Sequence, residues 1–303
     1  PSCDDNRPTG PVQQESVDEA RTRRVEGVPR DRSCPAARQR LMDLGLAGSR
    51  ALVTGASRGI GRAVAEALAA EGVHLELAAR STADLEALRD ALRAAHDVRV
   101  AVHPVDLAEA GAAETLAAAI GTPDLVVNNA GAIPAGTLEA LDEVRWRAAW
   151  ELKVFGYVNL CRAVYARMRA AGGGVIVNVI GTGGERHDPG YIAGVTANAG
   201  LMAFTRALGA AGPADGVRVV GVNPGITRTD RMEQQARRRA EAAGLDPERW
   251  REALPALPFG RPAEPAEVAD VVVFLASRRA GYVSGTVVTV DGGHSVAPVG
   301  GRS

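Results

Sequence analysis

Two groups of residues in this sequence have the types and spacing to do chemistry. In the first, the run ALVT at 51–54 leads into Gly55, Gly59 and Gly61, with Ser57, Arg58 and Ile60 between them. Glycines so placed let the backbone turn tightly and approach an anion, whose charge is met by the free amides of a helix beginning near Ile60. Taken alone, the spacing fits a ligand-free turn as well. The second group centres on Lys153: the 35 Lys and Arg residues contain this one lysine, and all the others are arginine. Arginine keeps its proton in a protein, whereas a lysine taken out of water shifts toward neutrality and can move protons. Cys3, Cys34 and Cys161 have no metal-ligand spacing, and their odd number argues against a disulfide framework and for a reducing compartment.

These residues need a scaffold, and the chain is long enough to supply one. With 46% hydrophobic residues and only 4% aromatic, its 303 residues can bury a sizeable core built from Ala, Val and Leu. Short β-branched runs at 50–54, 73–79, 98–103, 124–128, 174–180, 217–223 and 286–290 alternate with helical periods at 60–71, 82–95, 108–119, 137–171, 191–211 and 264–276. Such alternation predicts one α/β domain over 42–298, a doubly wound parallel sheet with helices on both faces, and binding at the carboxyl ends of the strands. The segment 226–260 departs from the pattern with two short charged helices and a Pro-rich stretch, which suits a lid over a ligand. Residues 1–41 mix Pro, Arg, Asp, Glu and Gln without a period and are expected to be a disordered extension; 299–303 is expected to be a tail.

Charge narrows the partners. A formal net charge of −1 gives no pull toward nucleic acid or an anionic membrane, which leaves a small molecule as the expected partner. The basic run Arg237–Arg239 is flanked by Glu233, Glu241 and Glu248, as on a solvated helix face. No apolar run approaches the roughly 18 residues that a spanning helix needs, and the first residues lack the apolar stretch of a signal peptide, so a cytoplasmic protein is expected.

TGASRGIG at 54–61, Asp106-Leu107, NNAG at 128–131, NPG at 223–225 and the terminal VSGTVVTVDGG follow one another in an order that resembles the short-chain dehydrogenases/reductases. The resemblance covers about residues 44–293. It implies a Rossmann fold of seven parallel strands in the order 3-2-1-4-5-6-7, with NAD(P) bound across the switch point by Gly55, Ser57, Arg58, Gly59, Ile60, Gly61, Asp106, Leu107, Asn129, Ala130, Gly131, Pro224 and Gly225. At the end of the second strand, where an acidic side chain reads the ribose of NAD, the sequence is Ala78-Ala79-Arg80-Ser81. Nothing there repels a 2′-phosphate, and Arg80 with Arg58 could pair with it, so NADP(H) is expected ahead of NAD(H). Two further readings stay open: Arg80 as a surface cation at a strand end, and Asp106 as the cap of a helix from Ala108, which is compatible with a contact to adenine.

The catalytic half breaks the family pattern. The resemblance places its Ser, Tyr, Lys and Asn at Gly181, Gly194, Asn198 and Lys153, so Lys153 and Asn198 look like a reciprocal exchange. Tyr191, three residues before Gly194, would share a helix face with Gly194 and Asn198 if Asp188-Pro189 starts that helix. The expected set is therefore Tyr191 as acid/base, Lys153 lowering its pKa, Thr182 at the substrate oxygen and Asn198 on the nicotinamide ribose. Glu185, Arg186 and His187 lie in the same loop as further acid/base or substrate candidates. The bland alternatives are a packing tyrosine, a turn threonine, a lysine paired with a carboxylate and a solvated loop. Two functions follow: NADP(H)-dependent oxidation or reduction of a small or cyclic ketone or secondary alcohol, or a non-redox descendant using Lys153 for lyase or isomerase chemistry, or keeping the nucleotide as a sensor. The resemblance also implies a homotetramer or homodimer packed through 137–171 and 191–211.

Overall fold

The computed structural model describes residues 43–254 and 256–296, so the expected disordered extension over 1–41 and the tail over 299–303 lie outside the described residues. Seven parallel strands, β1 (Arg50–Thr54), β2 (His74–Ala79), β3 (Val100–Pro104), β4 (Leu125–Asn128), β5 (Gly174–Val179), β6 (Val217–Pro224) and β7 (Val287–Val290), form one sheet. Their order is β3-β2-β1-β4-β5-β6-β7, the order that the sequence resemblance implies. Strands covered on both faces read as continuous apolar runs, and β1 and β4 are buried almost throughout for that reason. Helices α1 (Gly59–Ala70), α2 (Thr82–Ala95) and α8 (Pro265–Ala276) cover one face, packing Val64, Leu68, Leu85 and Val272 against Val53 and Val127. The opposite face takes α3 (Ala112–Ile120) and α5 (Gly156–Ala170), whose Leu116, Leu160 and Val164 meet Leu52, Val126 and Ile176.

Three boundaries differ from the sequence reading, each because a side chain or glycine diverts the chain. Asp106 does not cap a helix from Ala108: its carboxylate accepts from the Ala108 amide at 3.0 Å in a turn, and α3 starts only at Ala112, after Gly111 in the left-handed region. The helix expected over 137–171 begins at Glu143, where the Asp142 carboxylate accepts from the Arg145 amide at 2.8 Å. It then runs through α4 (Glu143–Trp150), a π-helical turn at Glu151–Phe155 and α5. The helix expected from Asp188-Pro189 is α6 (Ile192–Ala211). Asp188 instead turns back on itself, accepting from the Gly190 amide at 2.8 Å, so Tyr191 is left as a non-helical cap residue.

A buried polar chain fixes α6 to the sheet. Asn128 on β4 donates to Asn178 on β5 at 2.9 Å, Asn178 donates to Thr205 on α6 at 2.9 Å, and Thr205 donates to the Leu201 carbonyl at 2.7 Å. All three side chains are essentially without solvent, so a member left unpaired carries its full desolvation penalty. Asn178→Leu is therefore expected to lower unfolding stability by about 2–4 kcal/mol in urea titrations. A loss below about 0.5 kcal/mol would mean that the chain does not hold α6.

Candidate active site

The carboxyl ends of β1, β2, β4, β5 and β6 open on one crevice of about 490 Å³. Of the residues expected at the nucleotide, Gly55, Ser57, Arg58, Gly59, Ile60, Arg80, Asp106, Leu107, Asn129, Ala130, Gly131, Pro224 and Gly225 all line it. Gly61 lies behind them. A Cβ there would stand 2.3 Å from the Gly55 carbonyl oxygen, so its task is to seat α1 against the turn. Asn129 ties two wall segments together, donating to the Thr54 and Gly55 carbonyls, while the Thr54 hydroxyl accepts from the amides of Asn129 and Ala130.

The donor set suits a phosphate-bearing dinucleotide. The amino end of α1 faces the crevice beside Arg58, and the nearest carboxylate to Arg80 is Asp106 at 3.8 Å. Arg80 keeps 65% of its side chain exposed, and a loose, wet ion pair of that kind holds a guanidinium only weakly. Among the described residues no cluster of side chains could hold a metal ion.

The inner end of the crevice holds Lys153, carried by the π-helical turn and only 7% exposed. Its amine donates to the Tyr157 hydroxyl at 2.9 Å and to the Val179 carbonyl at 2.8 Å. The Tyr157 hydroxyl donates to the same carbonyl at 2.7 Å. Gly131 makes room for the lysine stem, since a Cβ there would lie 2.6 Å from Lys153 Cδ. Burial, with the positive charge of Arg231 adding to it, brings the amine down to about 7. Burial drives the Tyr157 phenol the other way, well above its ordinary value, so Tyr157 serves as a fixed neutral partner.

Tyr191 does not itself line the crevice, but its hydroxyl lies beside Arg231, which does. The ring folds back over the first turn of α6 and fills the space that a side chain at 194 would use: a Cβ on Gly194 would lie 2.0 Å from its Cε1 and Cζ. Burial raises the Tyr191 pKa, and the Arg231 guanidinium beside the hydroxyl opposes that rise. The cation at Tyr191 is thus Arg231, on α7 (Asp230–Ala242), and the two acceptors that hold Lys153 belong to Tyr157 and Val179. Arg231 is itself anchored on the loop after β4, donating to the carbonyls of Gly131 at 3.1 Å and Ile133 at 2.6 Å.

The remaining candidates separate. Gly181 lines the crevice at a φ of +136°, which excludes an ordinary side chain there. Thr182 opens a single 3-10 turn, and its carbonyl accepts from the amides of Glu185 and Arg186. Asn198 is buried on α6 behind Gly181. Glu185 accepts from Asn223 and Thr289, and Arg186 contacts the ring and carbonyl of His294, so both staple the loop to the end of the sheet. His187 is exposed. Sequence reasoning missed Tyr157 and Arg231. A position four residues after Lys153 on one helix was the available signal for Tyr157; Arg231 sits in an irregular segment that offered none.

Comparison with known proteins agrees with this fold. A family model described as enoyl-(acyl carrier protein) reductase matches residues 55–295. Galactitol 2-dehydrogenase (L-tagatose-forming) of Cereibacter sphaeroides is 35% identical over 83% of this chain and 96% of its own length. Cis-4-hydroxycyclohexanecarboxylate dehydrogenase of Sinomonas cyclohexanicum is 36% identical over 81% and 96%. The crystal structure of L-sorbose reductase from Gluconobacter frateurii, complexed with NADPH and L-sorbose, superposes with a TM-score of 0.78 at 33% identity, over 83% of this chain and 98% of that one. The chain belongs to the short-chain dehydrogenase/reductase family and is an oxidoreductase. Among the described residues no helix is long and apolar enough to cross a membrane.

The lowered amine gives a stability signature. A lysine that sheds its proton near 7 when folded and near its ordinary value when unfolded costs stability fully below pH 7, and the cost fades as the pH rises toward that ordinary value. Lys153→Met removes this cost. The stability it adds at pH 6 should exceed that at pH 9.5 by about 2–4 kcal/mol, a difference in which the packing change cancels. Denaturant titrations at the two pH values measure it, and equal increments would contradict a depressed amine.

Proposed function

We propose that the enzyme exchanges a hydride between NADP(H) and a small or cyclic ketone or its secondary alcohol, using Tyr191, Lys153 and Arg231 in place of the family's usual tyrosine and lysine. The observation that carries the reading is the Tyr191 ring lying in the space vacated at Gly194. NADP(H) is supported by Arg80 and Arg58 at the crevice wall, by the apolar Ala78-Ala79 end of β2, and by the NADPH named with L-sorbose reductase. The substrate class is supported by the sugar alcohols, keto sugar and hydroxycyclohexane acid in the relatives' names.

A bound nicotinamide dinucleotide supplies or accepts the hydride. The protein's own part is proton handling and positioning. Burial keeps the Tyr191 hydroxyl protonated at neutral pH, so it can give a proton to a carbonyl oxygen in reduction and regain it in oxidation. Arg231 steadies the oxygen that loses the proton. Lys153 is held by two acceptors, lines the crevice and has its proton affinity near ambient pH, which suits it to exchange a proton with a group bound there. The segment 226–260 acts as a lid, since α7 carries Arg231 onto the loop after β4. Exposed Val144 and Phe155, on α4 and the π-helical turn, support subunit contacts through that part of 137–171. Membership of an oxidoreductase family favours this reading over lyase or isomerase chemistry at Lys153.

Steady-state assays on a panel of ketones test the reading. NADPH oxidation is expected with at least one member, with kcat lowered by roughly 10²–10⁴ in Tyr191→Phe and at least about tenfold in Lys153→Met. If NADPH binds and no member of the panel is turned over, the redox reading fails. Cofactor choice is separate: Arg80→Ala should weaken NADP binding roughly 10–100-fold relative to NAD in fluorescence titrations, and an unchanged ratio overturns the assignment.

A further inference from the structure

Buried lysines ordinarily have a carboxylate for a partner, and Lys153 has none. Among the described residues no carboxylate lies within ion-pair distance of its amine or of the Arg231 guanidinium. The hydrogen bonds that the amine donates, to the Tyr157 hydroxyl at 2.9 Å and the Val179 carbonyl at 2.8 Å, both go to uncharged acceptors. A neutral amine has two N–H bonds and one lone pair, so these acceptors occupy both hydrogens and leave the lone pair unused. Lys153 lines the crevice together with Gly131, Val179 and Arg231. Gly131 opens the flank of its stem, since a Cβ there would stand 2.6 Å from Lys153 Cδ and 3.4 Å from both Cε and Nζ. Burial and the Arg231 charge bring the amine to about 7, so much of it is neutral and nucleophilic at ambient pH.

The neighbouring cation selects among the electrophiles that such an amine takes. A ketone or aldehyde gives an iminium ion, whose positive charge Arg231 opposes. An acyl donor gives a neutral amide, which gains nothing from a cation. Carbon dioxide gives a carbamate, whose negative charge is the partner that Arg231 lacks. We propose that Lys153 is a carbon dioxide site, whose Nζ adds CO2 reversibly as a carbamate paired with Arg231, and that the adduct switches off proton exchange at the inner end of the crevice. The nitrogen lone pair forms the N–C bond, one C=O π pair moves onto oxygen, and the nitrogen releases one proton to solvent. Amine and CO2 thus become a carbamate anion and a proton, with nothing oxidised or reduced. The carbamate nitrogen keeps one N–H. Loss of the other is tolerated at the Val179 carbonyl, because the Tyr157 hydroxyl donates to it as well, at 2.7 Å. Arg231 spends one N–H on each of the Gly131 and Ile133 carbonyls, and a guanidinium with five N–H bonds has donors over for the carbamate oxygens. The adduct itself is independent of the hydride chemistry; only its effect on turnover rests on the redox reading.

Because the chain has one lysine, isotopes report on this nitrogen alone. Full-length protein carrying ¹⁵N at lysine Nζ is equilibrated with ¹³C-bicarbonate, the source of CO2, at about pH 7.5, where much of a lowered amine is unprotonated. The carbon spectrum should show a carbamate signal split by its bond to ¹⁵N. Bicarbonate itself, and any adduct on the terminal amine, stays unsplit. Absence of a split signal overturns the proposal. Arg231→Met should weaken the split signal by at least about threefold, the loss of one charge pair, and an undiminished signal overturns the pairing. Turnover of NADPH with a ketone should fall when bicarbonate replaces an equal concentration of chloride at constant pH, and should recover on degassing. Undiminished turnover beside a split signal overturns the switch. A split signal in protein that turns over no ketone would remove the redox reading and keep the carbamate.

Discussion

A lysine amine taken out of water at the inner end of the crevice is the constraint around which the site is arranged. Desolvating an ammonium is costly, so the charged form survives only where acceptors surround it or where its pKa falls. Here both responses occur. The Tyr157 hydroxyl and the Val179 carbonyl accept hydrogen bonds from the amine, and burial with the nearby Arg231 charge lowers its proton affinity. The scaffold bends to make this possible: a π-helical turn between α4 and α5 presents the side chain inward, and Gly131 leaves the strip of space that its stem occupies. Arg231 then completes the site from a different part of the chain, its own position fixed by carbonyls of the loop after β4.

Glycines account for the rest of the rearrangement. At 194 and 181 the helix and the strand end give up side chains, and neighbours take the space: the Tyr191 ring moves over Gly194, and the Asn198 amide stands behind Gly181. The scaffold around them is that of the family, with the same strand order and a crevice at the same switch point. The Lys153 amine and the Arg231 guanidinium line the crevice, and the Tyr191 phenol lies beside Arg231. The two conformations that allow this have different origins. Gly181 sits where other residues are sterically excluded, whereas Gly194 is ordinary helix and matters only for what it lacks.

The sheet and the nucleotide wall were legible because they rest on repeating patterns. Apolar strand runs and glycine turns fix themselves locally, and the expected strands fall within two residues of the observed starts. The site was legible in composition and only partly in geometry. A solitary lysine could be recognised from the sequence, but the partners that tune it come from β5 and α7, far along the chain, and no local signal brings Arg231 to it. Tyr191 shows the opposite case. The expected helix start fails because the Asp188 carboxylate makes a turn of its own, yet the ring still lies over Gly194, whose missing side chain leaves it the space. Helix α3 was misplaced for a related reason: Asp106 used its carboxylate on a turn before the helix could begin.

Because Lys153 is the chain's one lysine, its charge state can be watched directly. Protein grown with lysine carrying ¹³C at Cε and ¹⁵N at Nζ gives one side-chain signal to follow by NMR across pH. A midpoint near 7, moving upward in Arg231→Met as the neighbouring like charge is removed, is the result this account predicts. A midpoint near the ordinary lysine value, unmoved by that substitution, would contradict it.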